Sequence, residues 1–479
     1  MSWSTSELVR IDETLWEIPA EARPDMRVPA RVFADRELLE AIVADRSLEQ
    51  LQNVATLPGI VVAALAMPDI HQGYGFPVGG VAAMELPDGV VSPGGVGYDI
   101  NCGVRLLALP ISATELGDRR EPLVHEISRA IPAGTGKRSH LRLSEAELDA
   151  VLRQGPQPLV ARGVGRDDDL DRTESLGCLP GADPAAVSSR AHERGAGQLG
   201  TAGAGNHFVE LQRVARIFDQ TTAGAFGLAV GQVTVLIHSG SRGLGHQVCT
   251  DHVRTMNAVQ ARFGIALPDP QLACAPASSP EGRAYLAAMA AAANFAFANR
   301  HTMAHAVRTA IERVLGLEVA DATRQVYDVA HNVAKVERYG GRDLLVHRKG
   351  ATRAFPAGSP DIPADYRTVG QPVFIPGSMG TSSFVLAGAP GSIQRSFGTI
   401  CHGAGRAMSR TRASKAIGGG ELRRQLEAQG IVVRCPSNKG LAEEAPFAYK
   451  DVERVVRVVE RAGLARRVAQ LVPLGVVKG

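Results

Sequence analysis

Five side chains with metal-binding chemistry lie at the ends of apolar segments or in glycine-rich loops. They are one carboxylate, one thiol and three imidazoles: Asp99, Cys102, His207, His238 and His331. Asp99 and Cys102 are three residues apart in a loop so rich in glycine that the backbone can bring both side chains to one point. Because five such ligands exceed the usual number around one four-coordinate ion, we expect two ions that share a ligand.

Each of these segments also has a structural interpretation that involves no metal. Buried cysteines are common, and an Asp in a glycine-rich turn often only hydrogen-bonds its own backbone. Thiolate and imidazole ligands favour zinc or another late transition metal. A harder ion such as Mn2+ would occupy these ligands only because of its availability or the geometry of the site. The ligand types alone therefore leave the identity of the metal open.

His402 is a candidate nucleophile because it precedes the small-residue run 403–405. A helical pattern follows from Arg406, so an anion beside His402 is expected to lie at a helix N-terminus. This placement suits a histidine that attacks phosphorus, and it suits equally a histidine that only caps the helix. The glycines of the run 200–205 could in addition expose backbone N–H groups to a phosphate.

The elements that would position these side chains are strands ending in polar loops around one long helix. The predicted strands are 60–65, 106–110, 233–237, 325–330, 343–346 and 371–375. Helical periodicity predicts an amphipathic helix over 36–57 and a long buried helix over 281–316, and Ser144 with Glu147 forms the capping box of another helix. We therefore predict an α+β fold, a single large mixed domain over residues 1–479 with glycine-rich site loops around a long central helix.

Three further groups of polar residues have mainly structural interpretations. Asp69 and His71 are expected in an irregular loop over 67–80, where they could support the site or bind neighbouring backbone. The run 167–169 of three aspartates is expected to be a solvated loop. His301 and His305 resemble half of a zinc-protease motif, but the accompanying Glu is missing, so we expect them to be structural.

Composition excludes several classes of protein. With 479 residues, 45% of them hydrophobic and 21% charged, the chain is expected to be globular rather than disordered. A net charge of +3 requires no polyanionic partner, although a local basic groove stays possible. No apolar run is long enough to cross a bilayer, and six cysteines without a CxxC pair fit reduced thiols, so we expect a cytoplasmic protein with no membrane association.

A set of motifs distributed over essentially the whole chain resembles the RtcB family of RNA-splicing ligases. They occur in the order of that family at residues 67–83, 97–103, 205–208, 238–243, 331–332, 376–379, 402–405 and 478–479. The resemblance implies a GTP- and Mn2+-dependent ligase of the RtcB-like fold. Its substrates would be RNA ends carrying a 3′-phosphate or 2′,3′-cyclic phosphate and RNA ends carrying a 5′-hydroxyl, in tRNA splicing or RNA repair.

The same resemblance implies a role for individual residues. Cys102 would bridge two Mn2+ ions, one also held by Asp99 and His207, the other by His238 and His331, and His402 would become guanylylated. The positions implied to contact the guanylate are Asn206, Glu210, His331, Asn332, Pro376, Gly377, Ser378, Met379, Ser383, His402, Gly403, Ala404, Gly405, Tyr449 and Lys478. The implied RNA-phosphate contacts are Arg194, Arg242 and Arg410. Ala202 and Ala204 depart from the residues expected there, a larger residue and a serine.

Two other functions stay open at this point. A dinuclear phosphoesterase would use the same ligand types with a metal-activated water. A non-catalytic RNA-binding protein is a third interpretation, weakened by the near-neutral charge and by the 5% of aromatic residues available for base stacking. The sequence identifies neither the physiological RNA, nor the oligomeric state, nor an activating protein partner.

Overall fold

Short apolar segments form the strands of a mixed α+β fold, in a computed structural model that describes residues 3–479. In chain order the strands are β1 (Val9–Arg10), β2 (Leu15–Ile18), β3 (Ala30–Phe33), β4 (Ala64–His71), β5 (Val78–Glu85), β6 (Val90–Val91), β7 (Gly103–Ser112), β8 (Phe208–Ile217), β9 (Gln232–Ser239), β10 (Ala275–Pro276), β11 (Arg324–Ala330), β12 (Asn332–Tyr339), β13 (Arg342–Lys349), β14 (Ala351–Arg353), β15 (Pro372–Ile375), β16 (Ser383–Gly388), β17 (Thr399–Cys401), β18 (Val432–Arg434) and β19 (Ala465–Lys478).

The helices begin mostly at Ser or Asp residues whose side chains accept a hydrogen bond from the first turn. They are α1 (Arg36–Ile42), α2 (Ser47–Val54), α3 (Ala113–Leu116), α4 (Arg120–Ala130), α5 (Glu145–Gln154), α6 (Gln157–Val160), α7 (Asp168–Asp171), α8 (Ser189–Gly195), α9 (Gln220–Phe226), α10 (Arg242–Val259), α11 (Pro280–Leu315), α12 (Leu317–Ala322), α13 (Pro390–Ser396), α14 (Arg410–Ala416), α15 (Gly419–Ala428), α16 (Asn438–Glu443) and α17 (Val452–Arg461). The mixture of helices and sheets confirms the predicted α+β class.

Two large sheets carry most of the strands. One has the order β1-β2-β3-β4-β5-β13-β12, and the other has the order β11-β7-β9-β8-β19-β16-β15, with β18 paired to β19. Pairing in the second sheet is antiparallel except between β18 and β19. Strands distant in sequence therefore lie side by side, so the ends of several strands meet at one edge.

The long helix α11 is the buried centre that its alanine-rich pattern predicts. It begins at the capping residue Ser279 and extends for 36 residues, most of them buried in the middle of the helix. His301, on this helix, is fully buried and lies 3.4 Å from a guanidinium nitrogen of Arg105. The capping box at Ser144 is also present and begins α5.

The predicted boundaries near the N-terminus are wrong in two places. The helix expected over 36–57 is two helices, because the Asp45 carboxylate accepts a hydrogen bond from the Ser47 amide and turns the chain between them. The strand expected over 60–65 begins later, as β4, because Val62 adopts a φ of 66° that no strand allows. Asp69 and His71 consequently lie on β4 and not in a loop.

The prolines and glycines of 67–80 predict the loop, and Pro68 contributes because proline removes a hydrogen-bond donor from a strand. Strand β4 accommodates Pro68 through a shift in its pairing with β5, between Ala66 and His71.

Two smaller predictions also fail. Strand β13 continues through His347, and Asp169 is buried beside Arg308 rather than solvated, with an oxygen-to-nitrogen distance of 2.6 Å. No helix within residues 3–479 combines the length and the apolarity that crossing a membrane requires.

Candidate active site

Four neighbouring strands of the second sheet meet at one edge, and each brings one predicted ligand there. Their order is β11, β7, β9 and β8, and each pair is antiparallel. The start of β7 and of β8 therefore lies beside the end of β9 and of β11. Cys102 directly precedes β7, His207 precedes β8, His238 is the penultimate residue of β9, and His331 follows β11.

The ligand atoms of the five predicted residues converge. Sγ of Cys102 lies 3.3 Å from Nε2 of His207 and 3.3 Å from Nε2 of His238. Nε2 of His238 lies 3.4 Å from Nε2 of His331, and Nε2 of His207 lies 2.8 Å from Oδ2 of Asp99. Two groups result, each with its ligand atoms within 4.8 Å of one another, and Cys102 belongs to both.

Burial sets the protonation of this cluster. Burial lowers the pKa of His238 and of His331 well below the usual value, so their imidazoles are neutral and offer lone pairs. Burial and the Asp99 carboxylate raise the pKa of the Cys102 thiol, whereas His207 and Arg242 outweigh burial and hold the pKa of Asp99 well below its usual range. Neutral imidazoles, a carboxylate and a thiol that a cation would convert to thiolate fit a divalent metal ion.

His402 is held by a buried carboxylate. Its Nδ1 lies 2.6 Å from Oδ2 of Asp69, and the same oxygen accepts hydrogen bonds from the amides of His402, at 3.0 Å, and Gly403, at 3.3 Å. Burial alone would raise the pKa of Asp69, but the positive charge that the His402 imidazole carries when protonated, together with the hydrogen bonds from His402, lowers the pKa below its usual value. With Nδ1 bound to a carboxylate, Nε2 is left with the free lone pair.

The backbone after His402 is not a helix, which corrects the prediction of a helix N-terminus there. Strand β17 ends at Cys401, and α14 begins only at Arg410. The intervening loop lies directly against β4: a Cβ atom at Gly405 would stand 2.2 Å from the carbonyl oxygen of Asp69, and its φ is +73°. Glycine is required at this position because of that approach, and no helix begins directly after His402.

A cavity of about 860 Å3, here called the His402 cavity, lies in front of this histidine. Most residues implied to contact a guanylate line it: Asn206, His331, Asn332, Pro376, Gly377, Ser378, Met379, His402, Gly403, Ala404, Gly405, Tyr449 and Lys478. Glu210 and Ser383 do not line it and lie behind its wall. Gln212 connects them, because its amide nitrogen lies 2.6 Å from Oε1 of Glu210 and 3.0 Å from the hydroxyl of Ser383.

A second cavity of about 710 Å3, the arginine cavity, adjoins the His402 cavity and shares Tyr98, Asp99 and Asn206 with it. Arg138, Arg142, Arg194 and Arg242 line it, together with Asp99 and His207, whereas Arg410 lines the His402 cavity. Of the three predicted RNA contacts, Arg194 and Arg242 therefore share one cavity and Arg410 lies in the other.

Arg242 occupies a strained position in the arginine cavity. Its φ is +56°, a conformation that a non-glycine residue adopts rarely. Its guanidinium packs on Gly203, where a Cβ atom would stand only 2.1 Å from it. Glycine at 203 thus allows Arg242 to lie beside His207, whose Nδ1 is 3.3 Å from Nη1 of the arginine.

Several residues of the site could not be anticipated from the sequence. Glu444 is buried, binds Arg410 at 2.9 Å and Arg406 at 3.3 Å, and accepts a hydrogen bond from the Tyr449 hydroxyl. Lys349 is buried and donates to the carbonyl of Tyr74, 275 positions away, and burial lowers its pKa to about 7. No local pattern marks such residues, because their partners are distant in the chain.

Comparison with known proteins gives a consistent result. The sequence model of the family described as tRNA-splicing ligase RtcB matches residues 50–479. The tRNA-splicing ligase RtcB of Thermococcus kodakarensis is 51% identical over 477 residues, which cover 98% of this chain and 99% of the relative. The one of Archaeoglobus fulgidus is 50% identical over 477 residues, with the same coverage. The RNA-splicing ligase RtcB of Mycobacterium tuberculosis is 52% identical over 437 residues, which cover 90% of this chain and 100% of the relative.

Proposed function

This chain belongs to the tRNA-splicing ligase RtcB family and is an RNA ligase, and from that premise we propose that it acts through a guanylylated His402. The ends that it joins in splicing or repair are a 3′-phosphate or 2′,3′-cyclic phosphate and a 5′-hydroxyl. Family membership and the buried cluster of Asp, Cys and His side chains indicate metal binding. GTP as co-substrate and two Mn2+ ions as cofactors belong to the proposal.

One observation carries this proposal: a free imidazole nitrogen stands next to two ligand groups that share a thiol. The ring centroid of His402 lies 4.9 Å from that of His331, and its Nδ1 is engaged by Asp69. Asp99, Cys102 and His207 would hold one ion, and Cys102, His238 and His331 the other. Such ions would supply positive charge that stabilises phosphate oxygens and lowers the pKa of a bound hydroxyl or water.

His402 acts as the nucleophile of the first step. Nε2 attacks the α-phosphorus of GTP, so that a nitrogen–phosphorus bond forms while the bond to the bridging oxygen breaks and pyrophosphate leaves. The imidazole becomes positively charged in this step, and the Asp69 carboxylate, already bound to Nδ1, stabilises that charge.

Two transfers complete the reaction. An oxygen of the RNA 3′-phosphate attacks the same phosphorus, the nitrogen–phosphorus bond breaks, and His402 is regenerated while the RNA carries a guanylate. The 5′-hydroxyl of the other strand then attacks the 3′-phosphate, loses its proton, and GMP leaves. A 2′,3′-cyclic phosphate is first opened by water: the water oxygen bonds to phosphorus, the bond from phosphorus to the 2′-oxygen breaks, and a 3′-phosphate and a 2′-hydroxyl result.

The two cavities suit the two kinds of substrate. The guanylate would lie in the His402 cavity, and Lys478 and Tyr449 at its wall would contact it. Glu210 and Ser383 lie behind that wall, so they would contact the guanylate only after local rearrangement, or support the residues that do. RNA phosphates would pair with Arg194 and Arg242 in the arginine cavity and with Arg410 at the His402 cavity.

The proposal extends to the organisation of the whole chain. We expect residues 1–479 to act as one catalytic domain, because the ligand residues come from segments between positions 99 and 331 and the implied guanylate contacts extend to position 478. A cytoplasmic location is also proposed, and the six cysteines, none of which forms a disulfide, agree with a reducing compartment.

A ligation assay with a labelled 3′-phosphate tests the proposed function. The purified protein is incubated with GTP, Mn2+, an RNA ending in labelled 3′-phosphate and an RNA with a 5′-hydroxyl. We expect the label to become part of a phosphatase-resistant junction between the strands. Release of the label as inorganic phosphate without a junction would contradict the proposal and favour a dinuclear phosphoesterase.

A further inference from the structure

Two consecutive residues in the middle of helix α11, Asn299 and Arg300, contact the backbone around the ligand cluster. Both side chains are fully buried. Nη1 of Arg300 donates to the carbonyl oxygen of Asn101, at 2.7 Å, and to that of Ser239, at 3.0 Å. These two carbonyl groups belong to the residues next to Cys102 and His238.

The remaining nitrogens of Arg300 bind a third segment. Nη2 lies 2.7 Å and Nε 3.0 Å from Oδ1 of Asp328, which is on β11 three positions before His331. Arg105 binds the other oxygen of Asp328 at 2.7 Å. Burying a guanidinium costs desolvation energy that hydrogen bonds must offset, and each of the three nitrogens of Arg300 has a partner in a ligand-bearing segment.

Asn299 binds the fourth ligand-bearing segment, which is the loop before His207. Its Oδ1 accepts hydrogen bonds from the amides of Gly200, at 2.6 Å, and Thr201, at 3.1 Å, in the loop that leads to His207. Its Nδ2 donates to the carbonyl oxygens of Thr201, at 3.2 Å, and Gly240, at 3.0 Å. The loop of His207 and the segment after His238 are thus held together by one amide group.

We propose that Asn299 and Arg300 are positioning residues that set the spacing of the four ligand-bearing segments, so that the thiol of Cys102 reaches both Asp99 with His207 and His238 with His331. This inference rests on the proposed two-ion site. It assigns to the long central helix a role in metal binding, although neither residue touches an ion. Residues that orient ligands in this way typically change metal affinity by about 10–100-fold when they are replaced.

The same helix supplies controls of the same residue types that are also buried and hydrogen-bonded. Arg308 binds Asp169 with both Nη atoms, at 2.6 and 2.7 Å, and donates to the carbonyl of Thr323. Asn294 accepts from the amide of Leu179 at 2.7 Å and donates to the carbonyl of Leu152 at 2.9 Å. None of these contacted residues is a candidate ligand or lies next to one.

Cobalt binding separates positioning from general stability. Arg300→Lys is compared with Arg308→Lys, and Asn299→Asp with Asn294→Asp, by measuring thermal unfolding without metal and then titrating Co2+ while recording the thiolate-to-cobalt absorption band. We expect all four variants to unfold at lower temperature. Only Arg300→Lys and Asn299→Asp should lose about 10-fold or more in Co2+ affinity and show a weaker thiolate band.

The outcomes are distinct. Wild-type affinity and a wild-type band in both Arg300→Lys and Asn299→Asp would overturn the inference, and so would equal losses in Arg308→Lys and Asn294→Asp. If one variant does not fold, the other pair decides by the same criteria. A wild-type protein that binds no Co2+ would contradict the two-ion site itself, and with it the proposed function on which the inference rests.

Discussion

Nδ1 of His402 and Oδ2 of Asp69 lie 2.6 Å apart, although the two residues are 333 positions apart in the chain. The contact joins the end of β17 to β4, and the same carboxylate oxygen binds two backbone amides of the loop after His402. The arrangement fixes which imidazole nitrogen faces the His402 cavity. It thereby leaves Nε2 available for the proposed attack on phosphorus.

Replacement of Asp69 by Asn should slow the first chemical step. An amide at position 69 cannot stabilise the positive imidazole, and it no longer enforces a hydrogen on Nδ1. We expect guanylylation of His402 to fall by about 100-fold or more, measured as the single-turnover rate with labelled GTP. Asp45→Asn is the control, because Asp45 lines the same cavity without contacting His402. Equal rates in Asp69→Asn and wild type would contradict the orienting role.

Both ligand groups contain Cys102, so its replacement should change the number of bound ions more than the replacement of any single histidine. Cys102→Ala should lower the affinity of the protein for both ions, because the Cys102 sulfur belongs to both ligand groups. His207→Ala and His331→Ala should each lower the affinity for only one of the two ions. Mn2+ bound per chain is measured by elemental analysis after equilibrium dialysis at a fixed free concentration. If Cys102→Ala retained one tightly bound ion, the bridging role would be wrong.

Helix α8 offers a matched pair of variants that tests RNA binding in the arginine cavity. Arg194 lines this cavity, whereas Arg190 on the same helix is exposed and does not line it. Arg194→Ala should weaken RNA binding and reduce the slope of log affinity against log salt by about one, while Arg190→Ala should change neither. Binding is measured by fluorescence anisotropy at several salt concentrations. Identical salt slopes for wild type and Arg194→Ala would exclude this phosphate contact.

Glu210 makes metal-free stability depend on pH in an unusual direction. Burial raises the pKa of its carboxyl in the folded protein to about 8 from 4.5, so between these values the folded chain keeps a proton that the unfolded chain has lost. The free energy of unfolding therefore decreases as pH rises through this window, by about 5 kcal/mol, and stays level above it.

Glu210→Gln should abolish this decrease, because the amide does not titrate. Chemical unfolding of wild type and variant at about pH 5 and about pH 8 measures the effect. Glu174→Gln is the control: its pKa is lowered to about 2 by Lys335 and Arg353 in spite of burial, so Glu174 is ionised in both states throughout this window. Parallel pH profiles for wild type and Glu210→Gln would show that Glu210 titrates normally.

Residue types and local spacing predicted much of this site. The five potential ligands were selected because each stands at the end of an apolar segment or in a glycine-rich loop, and the antiparallel order β11-β7-β9-β8 brings those segments to one edge of a sheet. The long helix α11 was predicted nearly to its ends, because its apolar periodicity and its alanine content are local properties.

The failures have a common physical cause, which is dependence on distant contacts. The prolines and glycines of 67–80 predict a loop around Asp69, whereas the pairing of β4 with β5 keeps this residue in a strand. The helix expected after His402 begins only at Arg410, because the loop 402–405 lies against β4 instead. Asn299 and Arg300 resemble any polar residues of a helix until their partners, dozens to hundreds of positions away, are known.

Transfer of label from α-labelled GTP to the protein tests the central claim most directly. Wild type and His402→Ala are incubated side by side with the nucleotide and Mn2+, then separated by denaturing electrophoresis, and the labelled peptide is identified by mass spectrometry. We expect an acid-labile, alkali-stable guanylyl group on His402 of the wild type and no label on the variant. Unlabelled wild type under conditions in which it ligates RNA, or equal labelling of His402→Ala, would contradict it.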